Sequence, residues 1–442
     1  MFISASSPTL PTTALSAERY NALDAARAIA LLIGIFFHGV ESLVSFLPPM
    51  LWAVKDAQTS VAIDVFFYVA HVFRMQAFFL LSGFFAHMLY HRRGAQGFLT
   101  HRAARIGLPL LLFWPVIVVS VQLLWTWGYQ QMGYLAMNPA IAHMGYWQIV
   151  AQNFRSFIWM SNGFPLTHLW FLYYLLWFCA GVLVLRPLLA KALDKQGKFR
   201  QGIDSVISFL MNRWWGSLLF GLCTIPAMWG MKNGFGVDTP DVGLLPKWAS
   251  FLVYGGYFTF GWFLHRQKEL LANFKKYWKV NLCISLILVA LVTASFLSTV
   301  YQAMAPGQQA GTPAVDPATM QLMSMIYNSF YGVASMTAVF AFIGAMLTFF
   351  SRPSRPIRYL SDASYWMYLI HLPVVVFFQV CVYPYEWHWL LKVMAILLPS
   401  LAVLLLSYQF LVRSTFIGVL LNGRRYGKPA KYTQQANTQV PS

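Results

Sequence analysis

The chain has 442 residues, of which 58% are hydrophobic and only 10% charged. A soluble domain carries about 25% charged residues, so this composition argues against a soluble enzyme and for a chain that lives in a bilayer. The formal net charge of +18 is that of a nucleic-acid binder, but its placement in short clusters between apolar stretches excludes that class and fits the positive-inside pattern of membrane proteins.

In chain order, residues 1–20 are rich in Ser, Thr and Pro and show no basic region ahead of the first apolar stretch. That stretch is therefore expected to be a retained span, not a cleaved signal peptide. Ten apolar runs of spanning length follow, at about 23–46, 62–90, 104–127, 168–190, 214–231, 247–265, 279–300, 322–350, 363–384 and 388–412. The basic clusters Arg92-Arg93, Arg102/Arg105, Lys191 to Arg200, Lys268 to Lys279, Arg352/Arg355/Arg358 and Arg424 to Lys431 collect most of the 31 Lys and Arg on one side. Both termini are thus expected in the cytoplasm. The resulting reading is an all-α, polytopic integral membrane protein with about ten transmembrane helices in one bundle. A polar cytoplasmic segment (1–20) precedes the transmembrane domain (21–412), and a basic, disordered cytoplasmic tail (413–442) follows it. Cys179, Cys223, Cys283 and Cys381 are scattered through the spans and read as small buried apolar residues, without a disulfide or zinc spacing.

Charged and titratable residues inside spans are costly and mark function. The first span carries Asp24, Arg27 and His38. Arg27 and His38 are 11 residues apart, close to three turns, so they leave one helix face about 16 Å apart. Glu41 is i+3 from His38 and within reach of its imidazole. The second span carries His71 and Arg74, also on one face. Arg74 keeps its proton and needs an anion, either Asp64 or Glu41 from the chain or a substrate carboxylate. His101-Arg102-x-x-Arg105 opens the third helix, where two guanidinium forks at a helix N-terminus suit phosphate. The stretch 128–167 holds Tyr129, Tyr134, Tyr146, Trp147 and Trp159 beside Trp125 and Trp127, an interfacial aromatic belt or a platform for a sugar. His168 and Trp170 begin the fourth span and His371 lies in the ninth. His87, His91, His101, His143, His265 and His388 read as surface or interfacial residues. No Walker A loop, Cys-x-x-Cys or His-Glu-x-x-His is present, so no metal and no permanently bound cofactor is expected.

Four motifs occur in order: Arg27 and His38; Phe78-Phe-Leu-Leu-Ser-Gly-Phe84; Arg102-x-x-Arg105 with Pro109; and Tyr365-Trp-Met-Tyr-Leu-Ile-His371-Leu-Pro373. Together they resemble the acyltransferase-3 family of membrane acyltransferases over about residues 20–412. His71-x-x-Arg-Met, His168-Leu-Trp-Phe-Leu and Ser361-Asp-Ala-Ser-Tyr-Trp are most similar to the branch containing the succinyltransferase of osmoregulated periplasmic glucans. The resemblance implies transfer of an acyl group, in that branch succinyl, from cytoplasmic acyl-CoA to a hydroxyl of a periplasmic glucan, in the bacterial inner membrane. His38 would then be the general base or a covalent acyl acceptor, with Glu41 orienting it. Arg27, Arg102, Arg105 and His371 would bind the donor. His71, Arg74, His168 and Trp170 would hold the acyl group or the acceptor. Two alternatives compete: acetyl transfer to another cell-surface glycan, and transport of an organic anion, against which stands the lack of an internal repeat.

Overall fold

The computed structural model describes residues 12–158, 163–232, 234–305 and 316–423. Among them the chain is helical, with one isolated bridge between Pro165 and Val242. The helices are α1 (Thr12–Val40), α2 (Val61–Arg102), α3 (Leu108–Gln131), the short α4 (Tyr134–Met137), α5 (Tyr146–Ile158), α6 (Trp170–Ala192), α7 (Lys198–Met211), α8 (Gly216–Leu222), α9 (Ile225–Met228), α10 (Trp248–Arg266), α11 (Leu271–Met304), α12 (Pro317–Phe349), α13 (Arg355–Val382), α14 (Trp389–Ser407) and α15 (Phe416–Asn422). Seven helical stretches among the described residues are long and apolar enough to cross a membrane. This is a multi-pass membrane protein. Trp159, most of the 303–321 connection and the tail beyond 423 lie outside the described residues.

The ten expected spans and the seven observed stretches differ in three places. The longest stretch, Val61–Gln131, covers 71 residues and contains two of the expected spans. They part at Gly94, whose φ of 68° is open to glycine at little cost and interrupts the helix. The run 214–231 is not one helix but the short pair α8 and α9. Pro226 lacks an amide hydrogen, and its ring collides with the carbonyl four residues back, at Leu222, where α8 stops. The expected span at 247–265 is α10, a helix of 19 residues that is not among the seven stretches long and apolar enough to cross a membrane.

Helices without a hydrophobic drive between them associate through small residues that let backbones approach. On α1 the fully buried Ala22, Ala26 and Ala30 repeat every fourth residue, and α1 packs among α13, α2, α12 and α14. The Ser-Gly motif of α2 has the same logic. A Cβ on Gly83 would meet the Phe258 carbonyl oxygen of α10 at 1.9 Å, and one on Gly261 of α10 would meet that of Leu80 at 1.9 Å. The two helices therefore touch backbone to backbone, which holds the cavity-facing side of α2 in place.

Between α1 and α2 the chain 44–60 folds inward. Lys55 donates to the carbonyls of Val44 and Ser45. Asp56 pairs with Lys392 of α14 at 2.5 Å, and both side chains are almost wholly buried. Removing one partner of such a pair strands the other and costs about 3–5 kcal/mol. Lys392→Met is thus expected to lower the thermal unfolding temperature markedly, and Asp56→Leu in the same chain to recover much of the loss. Unchanged melting of the single variant in detergent would contradict this.

Candidate active site

A cavity of about 1070 Å³ follows α1 from Asp24 to Glu41, a path of about 26 Å. The residues assigned to catalysis, donor binding and acyl or acceptor binding from the sequence all line it: Arg27, His38, Glu41, His71, Arg74, Arg102, Arg105, His168, Trp170 and His371.

At the Arg27 end, Arg27 pairs with Asp24 at 3.4 Å. Arg93, His101, Arg102 and Arg105 share this part of the wall. None of the ion pairs among the described residues engages Arg102 or Arg105, and the Arg102 Nε is buried without a protein partner. The expectation that these arginines sit at a helix N-terminus is not met. Arg102 ends α2, Arg105 lies in a π-helical turn over Ala103–Gly107, and α3 continues from that turn. The amide dipole at a helix start does not contribute there, leaving the guanidinium charges. The turn itself follows from Pro109. Proline donates no hydrogen bond to the carbonyl four residues back, and that carbonyl, of Arg105, instead accepts from the Tyr365 hydroxyl at 2.6 Å. Three members of the sequence motifs are thereby tied together.

Toward the other end, His38 Nδ1 lies 2.8 Å from Glu41 Oε2. A carboxylate only accepts, so Nδ1 carries the proton and Nε2 is left as the basic nitrogen. The His38 ring stands 5.3 Å from that of His371 and 6.0 Å from Trp52, nearly parallel to the indole. Gln379 holds this geometry: its amide donates to the carbonyls of His38 (2.8 Å) and Gly39 (3.1 Å), and its oxygen accepts from Trp52 Nε1 (2.8 Å). His371 Nδ1 donates to the Tyr368 carbonyl at 2.7 Å. His168 packs against His371 with ring centres 4.8 Å apart. Its Nε2 donates to the Leu369 carbonyl at 3.1 Å, which is free because Pro373 cannot bond to it. His168 Nδ1 is consequently an unprotonated acceptor, buried without a protein partner.

Arg74 is 6% exposed. Its guanidinium lies 4.2 Å over the Phe37 ring and 3.4 Å from the Gly34 carbonyl. Neither carboxylate considered as its partner forms an ion pair with it among the described residues, although the charge of Glu41 acts on it through space. Glu41 is bonded to His38, while Asp64 accepts from the Ser45 amide (2.8 Å) and hydroxyl and from Tyr301 (2.6 Å). No ion pair among the described residues includes Arg74, and its Nε has no protein partner. One turn away, His71 Nδ1 is bonded to the Tyr331 hydroxyl at 2.9 Å. Trp170 packs on Tyr254 and Phe79 in the wall.

At the Glu41 end, Trp52 and Trp125 meet edge to face 4.9 Å apart, and both line the cavity, as do Leu47, Leu51, Phe235, Thr239 and Asp241. Of the aromatic residues at 128–167, Trp147 is exposed and away from the cavity.

The sequence of the matched family covers residues 20–409 of the chain and is described as an acyltransferase domain. The chain belongs to the acyltransferase-3 family. It is also similar to the glucans biosynthesis protein C of Escherichia coli strain K12 and to those of strains O1:K1 and O139:H28. Each is 35% identical over 103 residues, 23% of this chain and 26% of the relative, so the match spans about a quarter of those proteins. No solved structure gives a significant match. As a membrane acyltransferase the protein needs a base and an electrophile site, and the cavity supplies candidates for both. Sequence reasoning missed Trp52, Gln379 and Thr167. Gln379 had a signal, a lone amide in the apolar run Phe377-Phe-Gln-Val380. Sequence reasoning also read His87 and His265 as surface or interfacial residues and overlooked that His87 and His91 are four residues apart. His87 is buried, its Nδ1 lies 2.8 Å from that of His265, and the His87 and His91 rings are 4.2 Å apart. Of the cysteines, Cys223 and Cys283 face outward and only Cys179 is buried.

Proposed function

We propose that the protein is an inner-membrane O-acyltransferase that moves succinyl from cytoplasmic succinyl-CoA to hydroxyls of a periplasmic glucan. The observation that carries this reading is a cavity joining an arginine-rich end to a His–Glu pair beside Trp52 and Trp125. With both termini in the cytoplasm, the Arg27 end faces the cytoplasm and the Trp52 end the periplasm. The coenzyme A phosphates dock on Arg27, Arg102 and Arg105, and the pantetheine arm lies along α1. His38 Nε2 takes the proton of an acceptor hydroxyl, whose oxygen attacks the thioester carbonyl. The tetrahedral adduct collapses, the carbon–sulfur bond breaks, and the leaving thiolate recovers the proton from His38. Glu41 orients the ring and supports the imidazolium. Arg74, which is in no ion pair among the described residues, receives the free carboxylate of the succinyl group.

Arg102→Ala and Arg105→Ala are expected to weaken coenzyme A binding, with Lys restoring only part because the planar fork is lost. Titration of the solubilised protein with coenzyme A checks this, and unchanged affinity would reduce the cluster to a topology signal. The activity is tested by mass spectrometry of periplasmic glucans from cells with and without the protein. Succinyl esters that depend on it support the proposal. Their absence, or acetyl esters in their place, refutes the succinyl assignment.

A further inference from the structure

Thr167 is the only described non-glycine residue with positive φ, at 49°, a rare conformation for a β-branched side chain. The surrounding structure holds it there. The amides of Leu166 and Thr167 both donate to the Asp241 carbonyl, at 2.7 and 3.1 Å. The Gly243 amide donates to the Phe164 carbonyl at 2.8 Å. Trp114 Nε1 donates to the Pro165 carbonyl, and the Tyr368 hydroxyl to that of His168, each at 2.8 Å. Strain so heavily supported is typical of functional sites. On these consecutive residues, both of which line the cavity, Thr167 Oγ1 and His168 Nδ1 are buried without a partner among the described residues. His168 itself is 8% exposed. Buried polar atoms are normally satisfied, so two neighbouring exceptions inside a cavity point to a ligand.

We propose that Thr167 and His168 form a hydroxyl-binding subsite for the acceptor sugar, an inference that rests on the acyl transfer proposed above. The chemistry is specific. His168 Nδ1, fixed as an acceptor by the Nε2–Leu369 bond, takes a hydrogen bond from one sugar hydroxyl. Thr167 Oγ1 both donates and accepts, so it suits a neighbouring hydroxyl. Through His371 the subsite adjoins His38, with ring spacings of 4.8 and 5.3 Å. A sugar held by the pair therefore presents a further hydroxyl toward the base. Thr167 is a positioning residue for the acceptor and takes no part in donor binding.

The test compares Thr167→Val, which removes the hydroxyl while keeping the branched shape, with Thr167→Ser, which keeps the hydroxyl. KM for the glucan, KM for the acyl-CoA and the slow hydrolysis of acyl-CoA by water are measured for each. Thr167→Val is expected to raise the glucan KM roughly tenfold, the loss of about one hydrogen bond. The acyl-CoA KM and the hydrolysis rate stay near those of the parent, and Thr167→Ser restores the glucan KM. An unchanged glucan KM in Thr167→Val, or a raised acyl-CoA KM, overturns the subsite while the transfer activity of the parent stands. A parent that hydrolyses or binds acyl-CoA but transfers to no glycan overturns the activity, and the subsite with it.

Discussion

His38→Ala is expected to lower acyl transfer by at least about 10²-fold, the usual contribution of a positioned general base, while the protein still inserts and accumulates. The reason lies in how the ring is held. Glu41 accepts the hydrogen bond of Nδ1–H, Gln379 fixes the backbone at His38 and Gly39, and Trp52 stacks alongside. Only Nε2 is left to act. Glu41→Gln separates the parts of this arrangement. The amide retains a hydrogen bond to the ring but no longer supports a positive imidazolium, so a smaller loss than that of His38→Ala is expected. The measurement is the initial rate of ester formation at saturating donor and acceptor. Activity of His38→Ala within a few-fold of the parent would remove this residue from the mechanism.

Arg74→Gln is expected to erase most of the preference for succinyl over acetyl donors. A guanidinium buried in a span needs an anion; none of the described ion pairs supplies one, and Glu41, whose charge acts on Arg74 through space, is bonded to His38. A hydrogen bond between charged groups contributes roughly 1.5–3 kcal/mol, or about 10- to 150-fold in discrimination. Competition between succinyl-CoA and acetyl-CoA, read as the ratio of the two esters, checks this. If the folded variant keeps the parent's ratio, Arg74 is a structural residue braced on Phe37 and Gly34.

What the sequence made legible divides by range. The His38–Glu41 contact is three residues long, so helical periodicity alone foretold it. The shared cavity of Arg27 and His38 follows from their spacing on α1. Contacts that depend on distant prolines were not legible. Pro109 frees the Arg105 carbonyl for Tyr365, and Pro373 frees that of Leu369 for His168. Each is a side-chain bond to a backbone group 200 or more residues away in the chain. The positive φ of Thr167 has no local signal, because it is imposed by the 238–243 segment. The broken run at 214–231 was in principle readable from Pro226. The arginines at 102 and 105 were misassigned to a helix start because Gly94, not the following loop, ends the second span.

The central claim is that the acyl group crosses by transfer through one cavity instead of by transport of the donor. Vesicles carrying the protein with its Arg27 end outward, loaded with glucan and supplied outside with succinyl-labelled succinyl-CoA, test it most directly. The account predicts labelled glucan ester inside, an equal amount of free coenzyme A outside, and neither with His38→Ala. Label accumulating inside as free succinate or intact succinyl-CoA, with no ester formed, would contradict it and identify a carrier.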